Sequence, residues 1–144
     1  MKSRTKQKAS DLLRAARLRR TGPRVAILSA LLGAGRPLTQ DRIAARLGSA
    51  APNKVTIYRV LESLLGVGLV HKAFLQERTW HFEAAGRCTE SQCHPHFTCT
   101  NCGNTHCLTE VSLPMAKNPP GFVIGHQRVQ LEGLCPDCSE RKPT

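Results

Sequence analysis

The sequence predicts an α+β protein in two parts. A winged helix-turn-helix domain spans residues 1–84, and a small α/β domain stapled by zinc spans residues 85–144. Three observations lead there. Four helical patterns are followed by one hairpin pattern. All seven cysteines fall between Cys88 and Cys138, and four of them form two Cys-x-x-Cys pairs. Charge divides in the same place: residues 1–80 hold 16 Lys/Arg against 4 Asp/Glu, a net +12, whereas residues 81–144 hold 5 against 6, a net −1.

The elements follow in order. "SDLLRAARLRR" offers Ser10 as an N-cap, with Leu12, Leu13 and Ala16 at helical spacing. In "TGPRVAILSALLGAG", Thr21 caps and Pro23 suits the first turn. Gly33 or Gly35 stops this helix, and Val25, Ile27, Leu28, Leu31 and Leu32 form its apolar side. "TQDRIAARLG" is a short helix capped by Thr39, "SAAPN" a turn, and "KVTIYRVLESLLGVG" a fourth helix that Gly66 or Gly68 ends. "LVHKAFLQERTWHFEA" alternates on either side of Gln76–Glu77, as a hairpin does. Beyond it the chain is irregular, "LPMAKNPPG" is a loop, and "FVIGHQRVQLEGLC" alternates in part.

On a helical wheel of residues 54–65, Ile57, Val60, Leu61, Leu64 and Leu65 share the core side. The other side carries Val55, Thr56, Tyr58, Arg59, Glu62 and Ser63. A merely solvated face would hold more Lys and Glu. This mix suits base reading, with apolar atoms for the thymine methyl, Arg for guanine or phosphate, and hydroxyls for phosphate. Lys54 and the helix N-terminus sit where a phosphate binds. The basic half points the same way, to a polyanion partner.

No 18-residue apolar run exists, so no membrane partner is expected. The N-terminus lacks the apolar core of a secretory signal. The expected location is the cytoplasm, where Cys-x-x-Cys pairs are metal ligands more often than disulfides. Cys99, Cys102, Cys135 and Cys138 together supply the four thiolates of a structural Zn2+. Such an ion staples a core too small to hold itself. That leaves Cys88, Cys93, Cys107 and six histidines. His94 and His96 lie two apart, so on a strand both face one way. A second metal site drawing on both halves of the chain is open to this set.

These residues resemble the ferric uptake regulator family of bacterial metal-responsive repressors. "TGPR" looks like its T-x-x-R, "VTIYRVLESL" is similar to its recognition-helix pattern T-[VI]-Y-R-x-L, "HPHFTCTNCG" to H-x-H-x-x-C-x-x-C-G, and "GLCPDC" to G-x-C-x-x-C. The matches run from Thr21 to Cys138. The resemblance implies a winged-helix domain that binds a double-stranded, palindromic DNA operator, with Arg24 of "TGPR" joining Lys54, Thr56, Tyr58 and Arg59 as contacts. It also implies a second domain that forms the homodimer, no enzymatic activity and no small organic substrate. At least one regulatory Zn2+ per chain is expected beside the structural one.

"GRPLT" has no histidine where iron- or peroxide-sensing members often place one. Cys107 stands where the family commonly has Glu or Asp, and His71 in "LVHK" is similar to the zinc-sensing branch. Thiolate with imidazole favours zinc over iron. The sensor set is therefore His71, Cys88, His94, His96 and Cys107, with Glu83 or Cys93 as substitutes. The segment 108–121 is shorter than in the family and lacks most of its helix. Other readings are an iron or peroxide sensor, a zinc ribbon that binds nucleic acid without sensing, and, from the partial likeness of "HFE…CTNC" to zinc deaminases, an enzyme.

Overall fold

The computed structural model describes residues 2–85 and 94–141. They fall into two compact units, one within Met1–Gly86 and the other within Arg87–Thr144. No described helix is long and apolar enough to cross a membrane.

The first unit holds α1 (Lys2–Ala15), α2 (Gly22–Ala34), α3 (Gln40–Leu47), α4 (Lys54–Gly66), β1 (Val70–Gln76) and β2 (Thr79–Ala84). One buried cluster joins them all: Ala9 and Leu13 from α1, Ile27, Leu28 and Leu31 from α2, Ile43 from α3, Ile57, Val60, Leu61 and Leu64 from α4, and Val70 and Phe82 from the hairpin. Leu65, expected inside, is only partly buried. Leu38 adds a third backbone partner to the hairpin, exchanging two 2.8 Å hydrogen bonds with Phe82. This is a winged helix.

Local chemistry sets the helix ends. Thr21, Thr39 and Asn53 each accept a hydrogen bond from the backbone N–H three residues on, the usual N-cap geometry. α2 stops at Gly35, whose φ of 65° favours glycine. α4 stops at Gly68, where Gly68 N–H reaches Leu65 O and Leu69 N–H reaches Leu64 O. α1 departs from the sequence expectation. It begins at Lys2, so Ser10 lies inside it and caps nothing. Residues 2–9 are mostly good helix formers, and Ala9 packs one turn before Leu13 in the core.

α1 ends in a Schellman motif with the wrong residue. Leu18 N–H bonds Leu13 O at 2.9 Å and Arg17 N–H bonds Arg14 O at 3.0 Å. Arg17 takes φ 60°, where a Cβ is unfavourable. Arg17→Gly is therefore expected to stabilise the first unit, by up to about 1 kcal/mol after the extra unfolded-state entropy of glycine is deducted. Thermal unfolding measures this, and a lower melting temperature would contradict the assignment.

β1 and β2 pair antiparallel, from Val70 opposite Ala84 to Gln76 opposite Thr79. The turn is Glu77–Arg78, one residue later than expected. Both have positive φ, 49° and 64°, as a two-residue type I′ turn requires. Ala73 forms a bulge between Lys72 and Phe74, and both Ala73 and Phe74 are buried.

The second unit holds β3 (His96–Cys99), β4 (Thr105–Cys107), β5 (Gln130–Gly133) and α5 (Pro136–Glu140). The sheet order is β4-β3-β5, antiparallel on one side of β3 and parallel on the other. No helix lies between β4 and β5. That connection braces itself instead. Gln127 donates to Pro114 O and accepts from Ala116 N–H, and Asn118 accepts from Ile124 N–H. Phe122 and Val123 stand out from it, 67% and 91% exposed.

Candidate metal centres and DNA-facing surface

The β3–β4 turn and the β5–α5 corner each present one cysteine pair. Cys99 closes β3. Its N–H bonds Asn104 O, and Gly103, at φ 75°, returns its own N–H to Cys99 O. That tight return aims Cys99 and Cys102 together. Cys135 is the N-cap of α5, with Pro136 at the first helical position, so Cys138 lies on the same turn. The sequence reading gave Pro136 a tight turn; it starts a short helix instead. Parallel pairing of β3 with β5 sets Cys99 opposite Gly133, and Thr100 N–H fixes the corner by bonding Gly133 O at 2.8 Å. The two pairs thereby meet.

All four sulfurs lie within 4.8 Å of one another. Cys102 Sγ and Cys135 Sγ are 3.9 Å apart. A tetrahedral zinc with bonds of about 2.3 Å has sulfurs about 3.8 Å apart, so the cage fits that ion. Its electrostatics also ask for a cation. Backbone N–H groups of Cys102, then of Cys135 and Asn101, outweigh burial and hold the Cys99 thiol down at about 6. Those N–H groups favour the thiolate form of Cys99. For Cys135 the backbone N–H of Cys138 pulls downward. Burial and the sulfurs of Cys138, Cys99 and Cys102 prevail and push it up to about 11. Thiols this close do not all ionise without a cation among them. Asn101, which the sequence did not single out, donates its side-chain amide to Cys138 Sγ at 3.3 Å. No sequence pattern marks such a donor.

The second unit gathers another donor set. His96 opens β3 and lies opposite Cys107 in β4. His94 precedes it by two residues, on the same side, with ring centroids 4.9 Å apart. Each of His94, His96 and Cys107 brings a ligand atom within 4.8 Å of the other two. His96 is buried, and the other two are half-buried. Two imidazoles and a thiol form a borderline-soft donor set that suits zinc. His71 lies in the first unit, opposite Glu83 across the hairpin. Its Nε2 is 2.8 Å from Glu83 Oε1. Cys88, expected as a ligand, and Cys93, its alternate, lie outside the described residues.

The α4 surface opposite the core is open. Val55 and Tyr58 are 58% and 57% exposed, and Lys54 and Arg59 are exposed too. Thr56 is half-buried, and its N–H is held by Asn53. Lys54 Nζ lies 4.0 Å from Asp41 in a fully wet setting, worth little against a phosphate. Arg24 is already engaged: its guanidinium donates to Arg19 O at 3.0 Å, bracing the link from α1 to α2.

A sequence profile described as "Ferric uptake regulator family" matches residues 15–119. The transcriptional regulator FurA of Mycobacterium tuberculosis is 32% identical over 135 residues, 90% of this chain and 89% of that one. The peroxide operon regulator of Bacillus subtilis is 28% identical over 145 residues, 94% of each chain. Among solved structures, a zinc uptake regulator complexed with zinc and DNA superimposes with a TM-score of 0.67 at 21% identity, covering 97% of this chain and 96% of that one.

Proposed function

The chain belongs to the ferric uptake regulator family, and from that premise we propose that it is a zinc-responsive repressor that binds operator DNA as a homodimer. The family is one of metal-responsive transcriptional regulators, so the enzyme reading falls away. The observation that carries zinc rather than iron is the His94–His96–Cys107 group. In it Cys107 offers a thiol, a softer donor than the oxygen ligands that suit harder ions. The FurA and peroxide-operon relatives keep an iron or peroxide sensor as the competing outcome.

In this reading Cys99, Cys102, Cys135 and Cys138 hold a permanent zinc. His94, His96 and Cys107 are the nucleus of the sensor, with His71 and Cys88 as further ligands and Glu83 or Cys93 as substitutes. A ligand from the hairpin ties the reading unit to the second unit, and the residues that close around the ion select one spacing of the two α4 helices. Half-sites about 34–36 Å apart admit only the matching geometry. Exposed Phe122 and Val123 supply apolar surface for the dimer. The basic half supplies counterion release, and Arg24, Lys54, Thr56, Tyr58 and Arg59 are the proposed contacts.

The deciding experiment uses a duplex that the protein itself selects from a random-sequence pool. Its affinity is titrated against buffered free zinc, iron and manganese in turn. Zinc alone is expected to raise affinity; a response to iron or to peroxide with none to zinc makes the protein the other kind of sensor. In the same assay Arg59→Ala is expected to cost about 1–3 kcal/mol of specific binding with zinc content unchanged. Parent-like affinity in that variant would remove α4 as the reader.

A further inference from the structure

The reading side chains crowd into the first turns of α4, and little holds that end of the helix. Ile57 is the first α4 side chain in the core. Ahead of it, Asn53 caps the helix, but it accepts only from Thr56 N–H and Ile57 N–H, both of α4 itself. Residues 51–53 belong to no helix or strand. Among the described residues, polar ties from another element to residues 53–59 come from the first turn of α3 alone. Gln40 Nε2 donates to Lys54 O at 2.8 Å. Asp41 stands 4.0 Å from Lys54 Nζ with both side chains 84% exposed, and so holds little. Lys54 O already accepts from Tyr58 N–H within the helix. A carbonyl has two lone pairs, and Gln40 takes the second. Gln40 is itself held in place. Thr39 caps α3 by accepting from Arg42 N–H, Leu38 is bonded twice to Phe82, and Pro37 is fully buried. The first residue of α3 thus ties the first residue of α4 to a backbone anchored on the hairpin.

We infer that Gln40 is a positioning residue for base reading: its amide, bonded to Lys54 O, fixes the tilt of the N-terminal end of α4, from which Tyr58 and Arg59 meet the DNA. The inference rests on the DNA-binding reading above and gives Gln40 no contact with DNA of its own. Apolar packing pins α4 from Ile57 onward, but such packing is non-directional and resists a swivel of the free end weakly. A hydrogen bond is directional and resists it. The difference matters most for base edges. Side chains that read them must be held to within about 0.5 Å and 10–20° of the productive geometry. Phosphate attraction falls off gradually with distance and tolerates more. Loss of the Gln40 bond therefore harms selective binding and spares non-selective binding. It also leaves a looser helix end to be ordered when DNA arrives, which weakens the same selective contacts.

The test uses the full zinc-loaded chain, the selected duplex and an unrelated duplex of equal length. Gln40→Met keeps the length and helix propensity of glutamine and removes the donor. It is expected to weaken the selected duplex roughly three- to tenfold, as loss of one hydrogen bond does, and the unrelated duplex less than about twofold. The slope of log affinity against log salt stays parental, because no phosphate contact is lost. In the free protein, amide exchange at Ile57 and Tyr58 quickens while exchange at Leu61 and Leu64 holds. Arg59→Ala then costs less in Gln40→Met than in the parent, as it does for residues that act together. Should methionine disturb the fold, seen as faster exchange at Leu61 and Leu64, Gln40→Glu makes the same deletion in the shape of glutamine, and the ratio of selected to unrelated binding must fall there. A parental ratio in the folded variant overturns the assignment, whatever its exchange rates. So does a lower salt slope, which makes Gln40 a phosphate contact in its own right, and so does an additive effect of Arg59→Ala. All three leave α4 as reader. Failure of the parent to bind either duplex overturns the DNA reading itself, and the role of Gln40 with it.

Discussion

Cys102→Ser is expected to unfold the second unit and to leave monomers that no longer bind DNA specifically. Among its described residues the second unit has three strands of three or four residues and a five-residue helix. Few of its described residues are both apolar and buried, and two of them are Cys99 and Cys135 themselves. Structural zinc contributes apparent free energies of about 10–16 kcal/mol to small folds, as much as the whole stability of an ordinary domain. Loss of one thiolate of four removes much of that. Cys99→Ser, Cys135→Ser and Cys138→Ser should match it, and so should a strong chelator. Near-ultraviolet circular dichroism, sedimentation and zinc content measure the result. A folded, dimeric Cys102→Ser protein with parental zinc would eliminate the four-cysteine staple.

His96→Ala has the second large effect, of a different kind. The variant is expected to fold, dimerise and keep one zinc per chain while losing another. Its affinity for the selected duplex should no longer depend on zinc. The coupling lost is about 1–3 kcal/mol, or 5–150-fold in affinity, and DNA should tighten zinc binding in the parent by the same factor. Cys107→Ser should lose part of the response. His71→Ala should lose as much as His96→Ala if the hairpin supplies a ligand, and little if it does not. Retention of both zincs and of a full zinc response in His96→Ala would remove the sensor from this cluster altogether.

Much of the first unit could be read from residues alone, because its signals are local. Thr21, Thr39, Gly35 and Gly68 do at the helix ends what their types imply, and the α4 wheel separates core from surface. The start of α1 was missed because "KSRTKQK" has propensity without apolar period. The hairpin turn was misplaced because Glu77–Arg78 is a poor type I′ sequence, imposed by the strands on either side. The four cysteines were legible as a set. Their meeting was not, since it depends on β3 pairing in parallel with β5, some thirty residues away. The antiparallel register of β3 with β4 sets Cys107 opposite His96, a proximity with no trace in one-dimensional spacing. The bond from Gln40 to α4 was likewise invisible, because it ends on a backbone carbonyl, whose position no residue type announces.

The parallel β3–β5 pairing has a consequence in time. Cys99 and Cys102 leave the ribosome before Cys135, with 32 residues between the second of them and the third. At about 5–20 residues per second, the first thiol pair waits roughly 2–7 s for the other. By then the whole helical half has already been made. Each new chain therefore passes through a stage in which the half carrying α4 is complete while the four-cysteine cage of the other half cannot close. With zinc as the proposed staple, leaving that stage depends on an ion arriving at the second thiol pair. If the chain is the zinc-responsive repressor proposed above, zinc scarcity acts twice: it empties the sensors of finished dimers, and it halts the assembly of new ones at birth.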